Sequence, residues 1–404
     1  MKTQFFLAAA VTAVTTYARG APACRDRFLE PFSSDSIWNT AIGSGAAFAP
    51  ASLYTVGHEP TQIHNDQDFF LRVPAGGHDA DFPLTEWVDQ GDWGGDDHCN
   101  VQPSAKVAAR IPFPRNWTSA SDCDDPTDTA TCRSASGQPN NNAMAVLLAD
   151  NVTIVQMQPA YRCGAFPAPL LARFGNATDG CPQRFPNVTS ILGGGALGAH
   201  GGSGLSAVGG SIRLGELLED SGPIQHALKL ELQHQWYYGL AKLQPDTAEN
   251  GGRAQYLWPA TGSDSGSNKA PGGLYTGTNP HVAPGALLAI PAAVADAVTV
   301  TTAPGKKIKQ ALVDYGGYLV DDTGAGNSAA ICMEAPVNAE MRARFGYTMT
   351  YPHGVSNAST DPGRPLYQDL LEIFRALHAV TNNGPSSVGG GGTPRVPKKV
   401  PMCD

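Results

Sequence analysis

Glycine and proline punctuate this chain so densely, 46 and 32 times in 404 residues, that few segments are long enough for an uninterrupted amphipathic helix. What lies between the breaks is mostly short, β-branched or apolar runs bounded by Gly, Asn, Asp and Pro, the pattern of a strand-rich fold with long loops. The clearest unit is a hairpin, with Met144–Leu148 and Val152–Gln158 flanking the turn residues Ala149, Asp150 and Asn151. Further strands are expected at Gln67–Val73, Ser211–Leu214, Ala227–Leu232, Ala286–Ile290, Tyr318–Asp321 and Ala329–Met333. Two segments carry helical periodicity instead. Lys306–Tyr315 aligns Ile308, Leu312 and Tyr315, and Pro365–Val380 aligns Leu366, Leu370, Phe374 and Leu377. The fold expected is mainly β, an antiparallel sandwich or jelly roll with a few peripheral helices. It forms a single domain over residues 21–385, followed by a Gly/Pro-rich tail over 386–404 that runs across the surface.

Residues 1–20 read as a secretory signal peptide: Lys2, then the apolar run Phe5–Val11, then small and polar residues, with cleavage expected between Ala18 and Ala21. No run reaches the roughly 20 apolar residues of a membrane span, so a secreted, extracellular protein is expected. In an oxidising compartment the eight cysteines imply four disulfides. Cys123 with Cys132 and Cys163 with Cys181 would close short loops, and Cys24 with Cys403 and Cys99 with Cys332 would take up the rest. Sequons at Asn116, Asn151, Asn176, Asn187 and Asn357 are expected to carry N-glycans. The net charge of -9 argues against nucleic acid or an anionic membrane as partner. No CxxC pair occurs, and Asp92, Asp96, Asp97 and His98 match no EF-hand, so the sequence implies neither a metal nor a cofactor.

Candidate chemistry falls in three places. Along Gln62–Phe70 a strand would set His64, Asp66 and Asp68 on one face, as a cleft wall or as a solvated surface. In the glycine-rich stretch 193–210, His200 is the one titratable side chain; glycine there permits close approach of a ligand or of a neighbouring strand. The stretch is neither a lipase elbow, which would need glycine at Leu205, nor a P-loop, since no lysine follows its glycines. Downstream, Arg213, Glu216 and His226, with Gln156, Gln158 and Tyr161, could form the charge-neutralising and proton-transferring set of a polysaccharide lyase. Arg213 and Glu216 could equally be an ordinary ion pair. A hydrolase would need two carboxylates, for which Asp66 or Asp68 with Glu216 is the available pair. Exposed aromatics such as Trp93 and Trp236 would stack sugar rings.

The order Ser36-Ile-Trp-Asn-Thr40, His200-Gly-Gly-Ser-Gly-Leu-Ser206, Ile224–Leu228 and Ala311–Asp322 resembles a broad group of secreted bacterial and algal-type proteins. That resemblance spans most of the chain and implies one domain, but its markers have no assigned roles. Arg213-Leu-Gly-Glu-Leu217 is similar to the Arg-Ser/Thr-Glu-Leu strand of jelly-roll alginate lyases, with Gly215 in place of the hydroxyl residue. The function expected is therefore that of a secreted glycan-active enzyme, a hydrolase or lyase on an extracellular polysaccharide, with a non-catalytic carbohydrate-binding or cell-wall protein as the alternative. Catalytic candidates are His200, His226, Arg213, Glu216 and Asp68. Gln156, Gln158, Tyr161, His64, Asp66, Trp93 and Trp236 are the candidates for holding the sugar.

Overall fold

The computed structural model describes residues 24–73, 81–87, 103–113, 142–158, 160–161, 170–172, 187–239, 255–264, 267, 275–323, 328–350 and 361–403. Along the chain the strands are β1 (Phe48–Pro50), β2 (Gln62–Arg72), β3 (Asp81–Trp87), β4 (Pro103–Pro112), β5 (Met144–Leu147), β6 (Thr153–Met157), β7 (Ala160–Tyr161), β8 (Leu170–Ala172), β9 (Asn187–Ser190) and β10 (Leu197–His200). They continue as β11 (Leu228–Leu232), β12 (Leu287–Ala289), β13 (Gly317–Asp322), β14 (Ser328–Glu334) and β15 (His378–Val380). Helices are α1 (His234–Tyr237), α2 (Ala292–Ala295), α3 (Ala303–Asp314), α4 (Val337–Phe345) and α5 (Arg364–Arg375). None of the described helices is long and apolar enough to cross a membrane.

The protein is mainly β. A ten-stranded sheet runs in the order β1-β15-β12-β13-β11-β14-β2-β5-β6-β9, beside a four-stranded sheet β4-β3-β8-β7. The pairing is mixed, whereas the sequence reading expected it to be antiparallel. β11 with β13, β14 with β2, and β2 with β5 pair in parallel, because these strands are joined by long excursions instead of tight turns. The expected hairpin is present, Met144 opposite Met157 and Leu147 opposite Ile154.

The centre of the large sheet is built by alternation. In β11, Leu228, Leu230 and Leu232 point to one core, where they meet Leu319, Ile331, Ile308, Leu312, Leu370 and Phe374. Lys229 and Glu231 therefore face the other way, toward a second core of Trp38, Leu205, Ala207, Tyr318, Val320 and Cys332. Helices α3 and α5 cover the leucine face. Asp369 of α5 joins them by accepting from the Thr301 and Thr302 amides (2.8 and 2.7 Å) and from both hydroxyls, while the Thr302 hydroxyl caps α3 at Gly305.

Two expectations shift on inspection. Pro365–Val380 is helical only to Arg375; the Ala376 amide is shared among three carbonyls, and His378–Val380 joins the sheet between β1 and β12. Ser211–Leu214 is not a ladder strand: Ile212 alone bridges Met333, and the chain then turns at Gly215, φ 89°. The tail is bound to the body. The Gly43 and Gly45 amides donate to the Gly389 and Gly391 carbonyls, and a Cβ on Gly43 would collide with the latter.

Cys24 and Cys403 form the expected disulfide between the ends of the chain. The expected Cys99–Cys332 bond is not formed, since Cys332 is a free, buried thiol in the middle of β14. Cys99, Cys123, Cys132, Cys163 and Cys181 lie outside the described residues. With its partners 379 positions apart in sequence, the terminal disulfide removes much of the unfolded chain's freedom. Replacing both cysteines by serine should lower stability by about 2–5 kcal/mol, read as a lower urea midpoint.

Candidate functional site

The polar residues facing the second core converge on His200. Alternation along β2 places His64, Asp66 and Asp68 on one face, as expected, and the parallel register sets Cys332 of β14 beside Asp66. Antiparallel pairing of β11 with β14 brings Glu231 and Lys229 onto the same face. His200 descends onto them from the end of β10, its ring fully buried.

His200 Nε2 lies 3.2 Å from Asp68 Oδ1, 3.3 Å from Asp66 Oδ2, 3.7 Å from Cys332 Sγ and 4.0 Å from Glu231 Oε1. The Cys332 thiol donates to Glu231 Oε1 at 3.5 Å. Asp68 is neutralised by Lys229, whose fully buried Nζ is 2.8 Å from Oδ2, and it accepts the Ser211 hydroxyl at 2.7 Å. The same ammonium also donates to the carbonyls of Ser206 and Ala207, so it ties the glycine-rich segment to the sheet.

Glycine is required where this segment passes the acids. A Cβ on Gly201, φ 54°, would strike the carboxyl of Asp321, and one on Gly202 would strike Asp264. Across this turn stands a second acidic group, Asp264, Asp321 and Asp322, with Asp321 Oδ1 accepting from the amides of Gly202 and Asp322. His234 pairs with Asp322, and the Tyr275 hydroxyl donates to Asp264 at 2.6 Å. Two residues on from His234, Trp236 is 52 % exposed beside the ring of His58.

Burial and charge set the protonation of this centre. Burial would raise Asp68, but Lys229 and His200 outweigh it and hold its carboxyl below the ordinary aspartate range. Burial and Lys229 push His200 down, yet Asp68 and the bond to Asp66 pull it back above an ordinary imidazole. Glu231 is driven well up by burial and by the charges of Asp66, Asp321 and Asp68. Asp321 is driven well up by burial and by Asp264 and Asp322, and the Cys332 thiol by burial and Glu231. Burial lowers His64, which Asp66 only partly opposes; at His234 the bond to Asp322 overcomes burial and raises the ring.

Of the sequence-derived candidates, His200, Asp66, Asp68, His64 and Gln158 come together; the Gln158 carbonyl accepts the Gly201 amide at 2.5 Å. Gln156 is spent on structure, with its amide group on Thr189 and Leu197 and its carbonyl on Ser206 and Ala207. Arg213, Glu216 and His226 gather separately. Arg213 Nε holds Glu334 at 3.0 Å with its guanidinium over Phe70 and Phe28, and His226 Nε2 meets Glu216 at 3.1 Å. Arg213 and His226 line a small pocket with Trp38 and Lys399, but every charge in it has a partner, Lys399 being paired with Glu30. Trp93 and the side chain of Tyr161 lie outside the described residues, as do Asp92, Asp96, Asp97 and His98.

Sequence reasoning passed over Lys229, Glu231, Cys332 and the three aspartates at 264, 321 and 322. The first two were within reach: Leu-Lys-Leu-Glu-Leu over 228–232 alternates, and a lysine and a glutamate opposite three leucines in a central strand mark a polar centre. Two side-chain groups have the composition to hold a cation, Asp66/His200/Glu231/Cys332 and Asp264/Asp321/Asp322; within each, the donor atoms all lie within 4.8 Å of one another. Against this geometry, scans of protein-family models, of curated proteins and of solved structures give no match to the chain.

Lys229→Met would leave Asp68 buried without its counter-ion and should cost about 3–5 kcal/mol. Adding Asp68→Asn should recover part of that loss, both measured by chemical denaturation. At Glu216, burial raises the carboxyl, but His226 and the Arg213 amide outweigh it and hold the group below an ordinary glutamate. Its stabilisation is thus fully present above about pH 4.3 and lost as pH falls through the depressed folded value. Glu216→Gln should flatten the acid side of the Tm–pH curve; an unchanged slope would show that the pair with His226 contributes nothing.

Proposed function

We propose that the protein is a secreted glycan-active enzyme, a hydrolase of an extracellular polysaccharide, with its reaction centre at His200, Asp66, Asp68 and Glu231. The observation that carries this reading is the convergence of three carboxylates on one imidazole nitrogen in a buried patch. Grouping like charges out of water costs stability, and proteins keep such arrangements chiefly at sites that move protons. Glycosidic hydrolysis needs what the patch offers: groups to take a proton from the attacking water and to return one to the departing oxygen as the C–O bond breaks.

Several features favour a hydrolase over a lyase. The lyase assignment relied on Arg213, Gln156 and Gln158 to neutralise a uronate, and these are engaged with Glu334, Ser206, Ala207 and Gly201. Five carboxyl groups lie in the two clusters and Asp68 beside them takes up Lys229, so an acidic setting with no free cation among its described residues would disfavour a uronate and accept a neutral glycan. Trp236, exposed near His234 at the rim of the acidic group, suits stacking of a sugar ring. In this reading the four-stranded sheet stacks on the large one in sandwich fashion as a wall of the cleft, and N-glycans occupy Asn116, Asn151, Asn176, Asn187 and Asn357.

The test is incubation of the secreted protein with neutral and uronate polysaccharides. New reducing ends from a neutral polymer, without the ultraviolet absorbance of an unsaturated uronate, are expected, and His200→Ala should slow their release by about 100- to 10,000-fold. Unsaturated uronate would point to a lyase instead. Binding in pull-downs without any cleavage would point to a carbohydrate-binding protein.

A further inference from the structure

The surroundings of His200 Nε2 are not explained by hydrogen bonds. One ring N–H faces Asp68 Oδ1, Asp66 Oδ2, Cys332 Sγ and Glu231 Oε1 at 3.2, 3.3, 3.7 and 4.0 Å, and can serve one or two of them. Asp68 Oδ1, fully buried, has His200 Nε2 3.2 Å away but no well-aligned hydrogen bond. Crowding so many polar groups about one nitrogen leaves some of them under-satisfied at a cost, so the arrangement needs a cause.

The spacings supply one. Donor atoms around a four-coordinate first-row ion stand about 3.3–3.7 Å apart, since bonds of about 2.0–2.3 Å meet at the tetrahedral angle. Here Nε2 to Asp66 Oδ2 is 3.3 Å, Nε2 to Cys332 Sγ is 3.7 Å and Sγ to Glu231 Oε1 is 3.5 Å, with the Nε2 to Glu231 edge slightly open at 4.0 Å. Four of the six edges thus match or approach tetrahedral spacing, and the two remaining edges, from Asp66 to Cys332 and to Glu231, are within 4.8 Å. A thiolate, an imidazole and two carboxylates suit Zn²⁺ or a similar transition ion, not the all-oxygen preference of Ca²⁺ or Mg²⁺.

We propose that Asp66, His200, Glu231 and Cys332 bind a single Zn²⁺-type ion. Three ligands are buried, and Asp66, 19 % exposed at its side chain, is the one that reaches solvent. Four protein ligands complete a tetrahedron, so a water or substrate oxygen would reach the ion only as Asp66 yields its position. The site accounts for the unbonded Cys332: as a ligand, the thiol stays out of the disulfide framework. Asp68, held by Lys229, stands 3.2 Å from the same nitrogen of His200 as a fixed charge beside the set. The inference goes beyond the hydrolase reading, and rests on it only for what the ion does, which is to activate the attacking water.

The full secreted chain, purified without chelators or metal-affinity resin, should contain about one equivalent of zinc or another first-row ion by elemental analysis. Exchange of that ion for Co²⁺ should give the intense visible bands of a tetrahedral site and a near-ultraviolet thiolate-to-cobalt band. Cys332→Ser should keep the visible bands and lose the ultraviolet one, while Asp68→Asn should retain stoichiometric metal. A trace of metal with an octahedral cobalt spectrum, or a thiolate band that persists in Cys332→Ser, would overturn the site. None of these readouts needs glycan activity: a loaded ion with a silent polysaccharide panel would remove the hydrolase reading and leave the metal site standing, and cleavage without a bound ion would do the reverse.

Discussion

The contact between Lys229 and Asp68 is the one on which the rest of the centre depends. Both groups are withdrawn from water, 2.8 Å apart, on neighbouring parts of the central sheet. Without the ammonium, Asp68 would be driven toward its protonated form, as Glu231 and Asp321 are by burial beside other acids. The same Nζ also holds the Ser206 and Ala207 carbonyls, so one cation sets the charge of the cluster and the height of the glycine-rich segment above it. His200 is carried by that segment. Its distance to the carboxylates therefore follows from where Lys229 reaches.

The sheet makes such a centre affordable by dividing its two faces. On one face the leucines of β11 pack with Ile331, Leu319 and the helices α3 and α5 in a continuous apolar layer, whose buried Asp369 is fully engaged by Thr301 and Thr302. On the other, Trp38, Tyr318, Val320 and Leu205 surround the charged patch and keep water from most of it. Low dielectric then strengthens each pairing inside, and makes each unpaired polar atom more costly. A cluster of this kind is stable only when nearly every member has an opposite charge, a hydrogen bond or an ion beside it.

Much of this was legible in the sequence at the level of elements. The hairpin at Met144–Met157, the strands near 228–232, 287–289, 317–322 and 328–334, and both amphipathic helices follow from periodicity and turn chemistry. The alternation of His64, Asp66 and Asp68 and the isolation of His200 among glycines were also visible. Other features were hidden because they depend on pairing. Arg213 looks as available as His200 in the linear chain, yet its partners Glu334 and Phe70 arrive from 121 and 143 positions away, by subtraction of residue numbers, while His226 and Glu216 pair with each other. Cys332 looked like half of a disulfide because spacing shows nothing of what a buried thiol faces.

By itself, then, the amino-acid sequence determined the hairpin, the central strands near 228–232, 287–289, 317–322 and 328–334, the two long helices and the apolar face of each, since these are set within a few residues by periodicity and steric preference. The Cys24–Cys403 bond it could only suggest, since pairing off the remaining cysteines gave Cys99–Cys332 equally, and Cys332 is a free thiol. Strand order and the parallel registers were decided only by the tertiary structure. Those registers place Asp66 beside Cys332 and put Glu231 across from Ala330 and Asp321, so residues more than 100 positions apart share one nitrogen of His200. The physical reason is that local propensity is short-ranged, whereas the charge balance of a buried cluster is a property of everything the fold brings within a few ångströms of it.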